Sequence, residues 1–162
     1  MNLIRAETKA KYLVKELESF CDRIEIVGNI RRRKQDIDKL DILLAPKSVE
    51  LFRLMGRIIE LGSKDGMKVG DKKTIILRDD LGDIKADLWF TTIDKWPIML
   101  FVKTGGNKSV KRIETLCNSK KWYLSIKDGT IFDESNKKLL IEKEEDIFIL
   151  LGIPFIEPSW RE

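Results

Sequence analysis

The feature that most constrains the fold is the stretch 24–46, in which two short apolar runs flank a turn, a basic run and a set of aspartates. The runs, at residues 24–27 and 40–44, contain β-branched residues and are bounded by glycine and proline. Short apolar runs with such boundaries are typical of strands. The stretch therefore predicts two neighbouring strands joined by a polar segment.

That polar segment has the residue types of a phosphate site. Gly28 lets the backbone approach a ligand closely, and Asn29 adds a polar side chain. Arg31 and Arg32 carry forked donors that fit phosphate oxygens. Asp41 then stands at the head of the second predicted strand, where a carboxylate can hold Mg²⁺ against substrate phosphates.

The composition excludes several classes of protein. The 162 residues include no histidine, which excludes Ser-His triads, HExxH zinc sites and an imidazole general base. Cys21 and Cys117 are the only cysteines, and we expect them to be reduced and buried. The sequence has neither a signal-peptide pattern nor an apolar stretch of about 20 residues, which predicts a cytoplasmic protein without a membrane partner. A nucleoid or a viral replication site is compatible with that location.

The rest of the chain alternates between patterns typical of helices and patterns typical of strands. Residues 63–72 are rich in glycine, lysine and aspartate and predict a loop. Helices are predicted at 4–20, 48–61, 96–102, 109–118 and 143–151, and strands at 74–77, 84–90, 122–126 and 130–132.

Positive charge is concentrated at residues 103–121. This stretch holds six Lys or Arg residues and one Glu, a net charge of +5, whereas the whole chain has +4. A localised basic face favours a polyanionic partner. A solvated helix face without a partner is the alternative.

Four segments resemble, in order, the motifs of DNA polymerase family X, the polymerase beta-like nucleotidyltransferases. The stretch 24–46 resembles the signature of Gly-Ser, Arg-Arg and a paired Asp-x-Asp, and residues 83–90, DIKADLWF, resemble the strand with the third aspartate. Residues 100–106, LFVKTGG, resemble the Thr-Gly-Ser turn, and EEDIFILLGIPFIEPSWRE resembles the closing helix and tail. On these motifs the chain is identified as a member of the family.

The resemblance implies an α+β fold. It implies a nucleotidyltransferase palm over residues 1–95, with a small mixed sheet and helices, followed by a small α/β thumb lobe over residues 96–162. The first predicted helix begins close to Met1. We therefore expect a minimal palm-plus-thumb form without helix-hairpin-helix or lyase domains.

The implied activity is that of a template-directed DNA polymerase of the gap-filling or repair type, with low fidelity. Such an enzyme transfers a nucleotide from a dNTP to a primer 3′-OH by a two-metal mechanism. The implied cofactor is Mg²⁺ or Mn²⁺. The implied partners of a monomeric protein are gapped or primed duplex DNA and a dNTP.

The resemblance makes Asp41, Asp87 and Asp38 the candidate catalytic residues and metal ligands. Residues i and i+2 of a strand project from one face, so a pair of carboxylates there can converge on metal ions. Asp87 lies within an apolar strand, where an unpaired carboxylate is costly. An outward-facing Asp in a half-exposed strand is the alternative.

The sequence departs from the family pattern at Lys39. Counted from Gly28 without gaps, Asp41 falls on the second carboxylate of the pair and Lys39 on the first. A bulge could bring Asp38 beside Asp41 and complete the site. Alternatively, Lys39 replaces a metal ligand, so that the site holds one ion or none and catalysis is impaired or lost. A substitution introduced to trap a complex is the third possibility.

The resemblance also assigns residues that contact the nucleotide and the DNA. Arg32 is the candidate for the β- and γ-phosphates, whereas Arg31 is expected to be exposed or to pair with a carboxylate. The nucleotide-binding candidates lie in two turns and in the helix after the second turn: Gly28, Asn29, Arg32, Thr104, Gly105, Gly106 and Lys111. The DNA-binding candidates are Lys103, Lys108, Lys111 and Arg112.

Three alternative functions remain open from the sequence. A small-molecule nucleotidyltransferase would lack the turn at 104–106 and the basic stretch that follows. A template-independent terminal transferase would use the same residues. A catalytically impaired nucleic-acid-binding homologue is favoured if Lys39 lies in the metal site.

Overall fold

The computed structural model describes residues 1–67 and 70–162. Short 3₁₀ segments join several of its main elements. The helices are α1 (Leu3–Leu17), α2 (Gly28–Arg31), α3 (Leu51–Glu60), α4 (Trp96–Thr104), α5 (Asn107–Ser119) and α6 (Glu144–Leu151). The strands are β1 (Cys21–Val27), β2 (Leu40–Pro46), β3 (Lys72–Leu77), β4 (Ile84–Phe90), β5 (Tyr123–Ser125) and β6 (Thr130–Phe132).

Four of the strands form one mixed sheet in the order β1-β2-β4-β3. Strand β2 pairs antiparallel with β1 and parallel with β4, while β3 pairs antiparallel with β4. A separate hairpin joins β5 to β6. The predicted mixed α+β fold is therefore confirmed.

One face of the sheet is covered by α1 and α3. The buried side chains of α1 recur every three or four residues, as expected for one apolar helix face, and they include Ala6, Ala10 and Leu13. They pack in one core with Ile42 and Leu44, which alternate along β2. Each large apolar side chain buried in this way contributes about 1.5–3 kcal/mol. The residues that alternate with them, Asp41 and Leu43, project from the opposite face.

The C-terminal segments have a second core. Helices α4, α5 and α6 and the β5–β6 hairpin contribute to it, and Phe101 and Phe148 meet edge to face with ring centroids 5.8 Å apart. A smaller cluster, which includes Leu43 and Trp96, joins α4 to β2. The division into a palm and a thumb lobe, with its boundary between residues 95 and 96, stays a prediction.

Two local predictions differ from the structure or fall partly outside it. The turn after β1 is a short helix, α2, rather than a simple Gly-Asn turn. The predicted loop at 63–72 ends earlier, because β3 begins at Lys72, and residues 68 and 69 lie outside the described residues. None of the helices formed by the described residues combines the length and apolar character needed to cross a membrane.

Candidate functional site

Asp41 and Asp87 lie side by side on the sheet face that α1 and α3 leave uncovered. They are direct partners in the register of the parallel strands β2 and β4. Their side chains are 13% and 1% exposed, respectively. The structure thus brings together two of the three predicted carboxylates.

Lys39 lies between these two carboxylates. Its Nζ is 2.7 Å from Asp87 Oδ2 and 3.1 Å from Asp41 Oδ1. Strand alternation therefore holds from Lys39 to Asp41, although β2 begins only at Leu40. We call these three residues, Lys39, Asp41 and Asp87, the sheet-face cluster.

Two members of the sheet-face cluster, Lys39 and Asp87, have pKa values shifted in favour of their charged forms. Burial by itself lowers the pKa of Lys39, but hydrogen bonds to Asp87 and Asp41 outweigh it and raise that pKa. Burial likewise raises the pKa of Asp87, but the hydrogen bonds from Lys39 and Thr74 outweigh it and hold that pKa below its ordinary value. Thr74 Oγ1 donates to Asp87 Oδ1 at 2.9 Å.

Asp38 does not join the sheet-face cluster. Its exposed side chain accepts a hydrogen bond from Asn29 Nδ2 at 3.2 Å. Within residues 1–67 and 70–162, no three His, Cys, Asp or Glu side chains are grouped so that they could hold a metal ion. The bulge that would place Asp38 beside Asp41 is not seen in this conformation, and its assignment as a metal ligand stays a prediction.

The donors around Asp87 do not fit the pair of divalent ions that the family resemblance implies. Magnesium ions need oxygen ligands, and a protonated ammonium has no lone pair to offer. Both oxygens of Asp87 already face cations: Oδ2 lies 2.7 Å from Lys39 Nζ and 3.8 Å from Lys72 Nζ, and Oδ1 lies 4.0 Å from Lys85 Nζ. With Lys39 in this position, its ammonium occupies the space between the carboxylates where an ion would bind.

Trp89 lies beside the sheet-face cluster on the same strand face as Asp87. Its Nε1 donates a hydrogen bond to Asp41 Oδ1 at 3.0 Å. Lys103 Nζ lies 3.5 Å from the centroid of the Trp89 ring, and Lys72 Nζ lies 5.3 Å from it. Lys103, predicted to bind DNA, is thus part of this surface.

Sequence reasoning missed Lys72 and Lys85 as members of this surface. Their exposed side chains share a sheet face with Asp87 because Lys72 pairs with Trp89 and Lys85 lies two residues before Asp87. Alternation along the predicted strand 84–90 could have found Lys85. Finding Lys72 also required the register between β3 and β4.

The predicted phosphate-binding residues lie where the two turns meet. Arg32 donates hydrogen bonds to the backbone oxygen of Thr104 and to Asn29 Oδ1. Burial lowers the pKa of Arg32, and its buried Nε has no hydrogen-bond partner in the part of the chain that the structure describes. These contacts use two of the five N–H donors of the Arg32 guanidinium.

Gly28 and Gly105 allow the backbone to pack closely against the side chains of Asp41 and Arg32. Gly28 has φ +64°, and a Cβ there would lie 2.6 Å from Asp41 Oδ2. A Cβ on Gly105, whose φ is +76°, would lie 2.8 Å from Arg32 Nη1. A Cβ at Gly28 would displace the Asp41 side chain and one at Gly105 would displace the end of the Arg32 side chain, in addition to the strain of a positive φ.

The basic stretch 103–121 is mostly the exposed face of α5. The helix buries Ile113 and Cys117, while Lys108, Lys111 and Arg112 are exposed. Lys108 Nζ lies 3.3 Å from Glu162 Oε2, a surface pair of little energetic weight. The DNA-binding candidates on α5 therefore share a surface, and their role stays a prediction. The nucleotide contacts of Gly106 and Lys111 are likewise untested.

Arg31 belongs to a buried network that sequence reasoning did not identify. Its guanidinium donates to both carboxylate oxygens of Glu144, at 3.0 and 2.8 Å, and Arg161 Nη1 lies 2.5 Å from Glu144 Oε1. We call Arg31, Glu144 and Arg161 the tail cluster. It joins α2 to the start of α6 and to the end of the chain. Arg31 was expected to be exposed or to pair with a nearby carboxylate; its partner Glu144 is 113 positions away, and no local pattern points to it.

Comparisons with known proteins agree with this architecture. A family model described as the DNA polymerase beta thumb matches residues 99–162. None of the curated proteins matches the chain in sequence. A crystal structure of Leishmania infantum polymerase beta, described as a ternary P/T complex, is similar with a TM-score of 0.81 and 17% sequence identity. The likeness covers 100% of this chain and 76% of that chain, and at this identity it shows the fold.

Proposed function

We propose, from its thumb-domain match and its fold, that this chain is a family X polymerase-like protein that binds gapped or primed duplex DNA as a monomer with impaired nucleotidyl transfer. The observation that carries this proposal is the position of Lys39 between Asp41 and Asp87. An ammonium there offsets the negative charge that attracts divalent cations and supplies no ligand. The native chain would therefore bind its partners while transferring nucleotides slowly.

The DNA-binding part of the proposal is supported by α5. Its exposed Lys108, Lys111 and Arg112 follow the turn at Gly105 and lie in the segment that matches a polymerase beta thumb. Surface lysines and arginines bind the phosphates of a duplex and release its counterions. The thumb match also favours a polymerase-like protein over a small-molecule nucleotidyltransferase.

Primer extension on a gapped duplex, with Mg²⁺ or Mn²⁺ and either dNTPs or rNTPs, tests the catalytic part. We expect Lys39→Asp to raise the extension rate by about 100-fold, since metal ions supply several kcal/mol of transition-state stabilisation. The matched control is Lys11→Asp, which makes the same charge change at an exposed position of α1. A native chain that already extends primers as fast as Lys39→Asp would contradict the proposal.

A second candidate function is the template-directed, metal-dependent polymerase that the family resemblance implies. The observation that favours it is the pairing of Asp41 with Asp87 beside Arg32, which retains most of the expected residues. It requires Lys39 to leave its present contacts and Asp38 to take part. In that case the native chain is active and Asp38→Ala inactivates it, whereas under impaired transfer Asp38→Ala changes little.

Omitting the template strand distinguishes a polymerase from a terminal transferase. Extension of a single-stranded primer by Lys39→Asp would indicate template-independent transfer. Incorporation that follows the base in the gap would indicate template direction.

A further inference from the structure

We propose that the ammonium groups around Asp41 and Asp87 form a binding site for phosphate oxyanions that needs no divalent metal. The ligand is either the triphosphate of a nucleotide or the backbone phosphates of DNA, which present the same oxygen chemistry. This inference rests on the proposed function, in which Lys39 occupies the space between the two carboxylates.

The charge near Asp41 and Asp87 is positive on balance. Four lysines, Lys39 within the sheet-face cluster and three beside it, outnumber its two carboxylates. We call Lys39, Lys72, Lys85 and Lys103 the lysine cluster; three have Nζ within 4.0 Å of Asp87, and Lys103 lies against Trp89. Asp71 also acts on Lys103 and Arg32 on Asp41, so five cations face three carboxylates and the neighbourhood keeps an excess of two positive charges. Such an excess attracts anions.

The lysine side chains are accessible to a ligand from solvent. The side chains of Lys39, Lys72 and Lys85 are 30%, 41% and 51% exposed, whereas that of Asp87 is 1% exposed. The carboxylate of Asp87 is thus covered by the lysine side chains that surround it. Each ammonium has three donor hydrogens, and the contacts with Asp87 do not use them all. An anion that approaches from solvent therefore contacts the ammonium groups before it reaches the carboxylate of Asp87.

Trp89 pre-organises the lysines. The hydrogen bond from its indole N–H to Asp41 holds the ring in place. Three lysine Nζ atoms, those of Lys39, Lys72 and Lys103, lie 5.7, 5.3 and 3.5 Å from its centroid. Ring faces attract ammonium groups at these distances. The cations are therefore gathered at one place, which lowers the ordering cost of binding an anion.

The test is equilibrium binding of inorganic tripolyphosphate by calorimetry in EDTA, with the full chain. We expect the native chain to bind it, Lys72→Ala to bind about tenfold more weakly, and the matched control Lys11→Ala to bind like the native chain. Lys39→Asp should bind weakly in EDTA and regain affinity when Mg²⁺ is added. Thermal unfolding of each variant separates lost binding from lost folding.

Two further probes identify the source of the phosphate. If dATP competes with tripolyphosphate and Lys72→Ala weakens its binding, the site accepts a nucleotide triphosphate. If gapped DNA competes with tripolyphosphate instead, the site accepts backbone phosphates. Lys72→Ala should then lower the affinity for gapped DNA and make that affinity less dependent on salt.

The inference and the proposed function can fail separately. A folded native chain that binds gapped DNA through α5, but binds neither tripolyphosphate nor dATP in EDTA and is unaffected by Lys72→Ala, overturns the inference alone. Equal tripolyphosphate binding by Lys72→Ala and the native chain has the same meaning: the lysines then serve only to neutralise Asp87. Failure to bind gapped DNA at all contradicts the proposed function.

Discussion

The sheet-face cluster and the tail cluster are opposites in charge. In the first, one ammonium lies between two carboxylates; in the second, one carboxylate lies between two guanidinium groups. Each central group is held by charge-assisted hydrogen bonds of 2.5–3.1 Å. The two clusters nevertheless differ in their access to water.

Burial explains what each cluster can do. In the tail cluster, Glu144 is 4% exposed and Arg161 is 0% exposed, so neither charge has solvent as an alternative partner. In the sheet-face cluster Lys39 is 30% exposed and further lysines stand nearby. A buried ion pair must stay intact to avoid a large desolvation cost, whereas a partly exposed one can exchange partners. We therefore expect the tail cluster to stabilise the fold, whereas the proposed ligand site is at the sheet-face cluster.

The largest effect on stability is expected for Glu144→Ala. It leaves the guanidinium of Arg161 buried without a carboxylate, which costs about 3–5 kcal/mol. The free energy of unfolding in urea measures this loss. Glu145→Ala, an exposed neighbour in the same helical turn, is the control and should cost less than about 1 kcal/mol. Similar losses for the two variants would show that the tail cluster is not structural.

A smaller loss is expected for Lys39→Ala. Asp87 keeps the hydrogen bond from Thr74 and the proximity of two other lysines, so the cost should be about 1–3 kcal/mol. Urea unfolding measures this too, with Lys11→Ala as the control. A loss that equals that of Glu144→Ala would remove the distinction between the clusters.

A fall in pH should reduce the stabilising contribution of the tail cluster. Burial raises the pKa of Glu144, but its hydrogen bonds with Arg31 and Arg161 outweigh it and hold the pKa below its ordinary value. Its stabilising contribution is present above the unfolded pKa of about 4.3 and is lost as the pH falls through the lower folded pKa. Unfolding free energies from pH 7 to pH 3 should therefore fall less steeply for Glu144→Gln than for the native chain. Equal slopes would contradict a shifted pKa.

The smallest effect on stability within the two ion-pair clusters and their neighbours is expected for Lys72→Ala. Its Nζ is 3.8 Å from Asp87 Oδ2 and its side chain is 41% exposed, a geometry that contributes about 0–1 kcal/mol. The same change should weaken anion binding, so stability and binding would separate in one variant. A loss above about 2 kcal/mol would make Lys72 a structural residue instead.

The proposed DNA contacts of α5 should contribute to DNA binding and not to stability, unlike the contacts of the two ion-pair clusters. Changing Lys108, Lys111 and Arg112 together to alanine should weaken binding of gapped DNA without changing stability, because these side chains are exposed. The slope of log K against log salt should become shallower by about 0.9 for each phosphate contact removed. Fluorescence anisotropy across a salt series measures it, and an unchanged slope would exclude α5 from the interface.

Local patterns predicted the order of helices and strands well, because alternation and helical spacing are short-range signals. The same alternation placed Lys39 on the face of Asp41, which the structure confirms. It could not decide whether Asp38 also reached the site, since that depends on the path of the turn before β2.

The tail cluster could not be predicted for a different reason. Arg31 and Glu144 are 113 positions apart, and each residue alone has the pattern of an ordinary surface charge. Only the packing of α2 against the start of α6 brings them together. Lys72 was missed in the same way, because its place depends on the pairing of β3 with β4.

The position of Trp89 should make its fluorescence emission sensitive to ligand binding at the sheet-face cluster. The emission of an indole shifts with the electric field across its ring, and this ring has Asp41 at its N–H and the ammonium of Lys103 above its face. Any ligand that displaces Lys103 or changes the charge near Asp41 alters that field. Steady-state fluorescence of the unlabelled protein, compared with Trp89→Phe to remove this indole's contribution, would therefore report the filling of the site in real time.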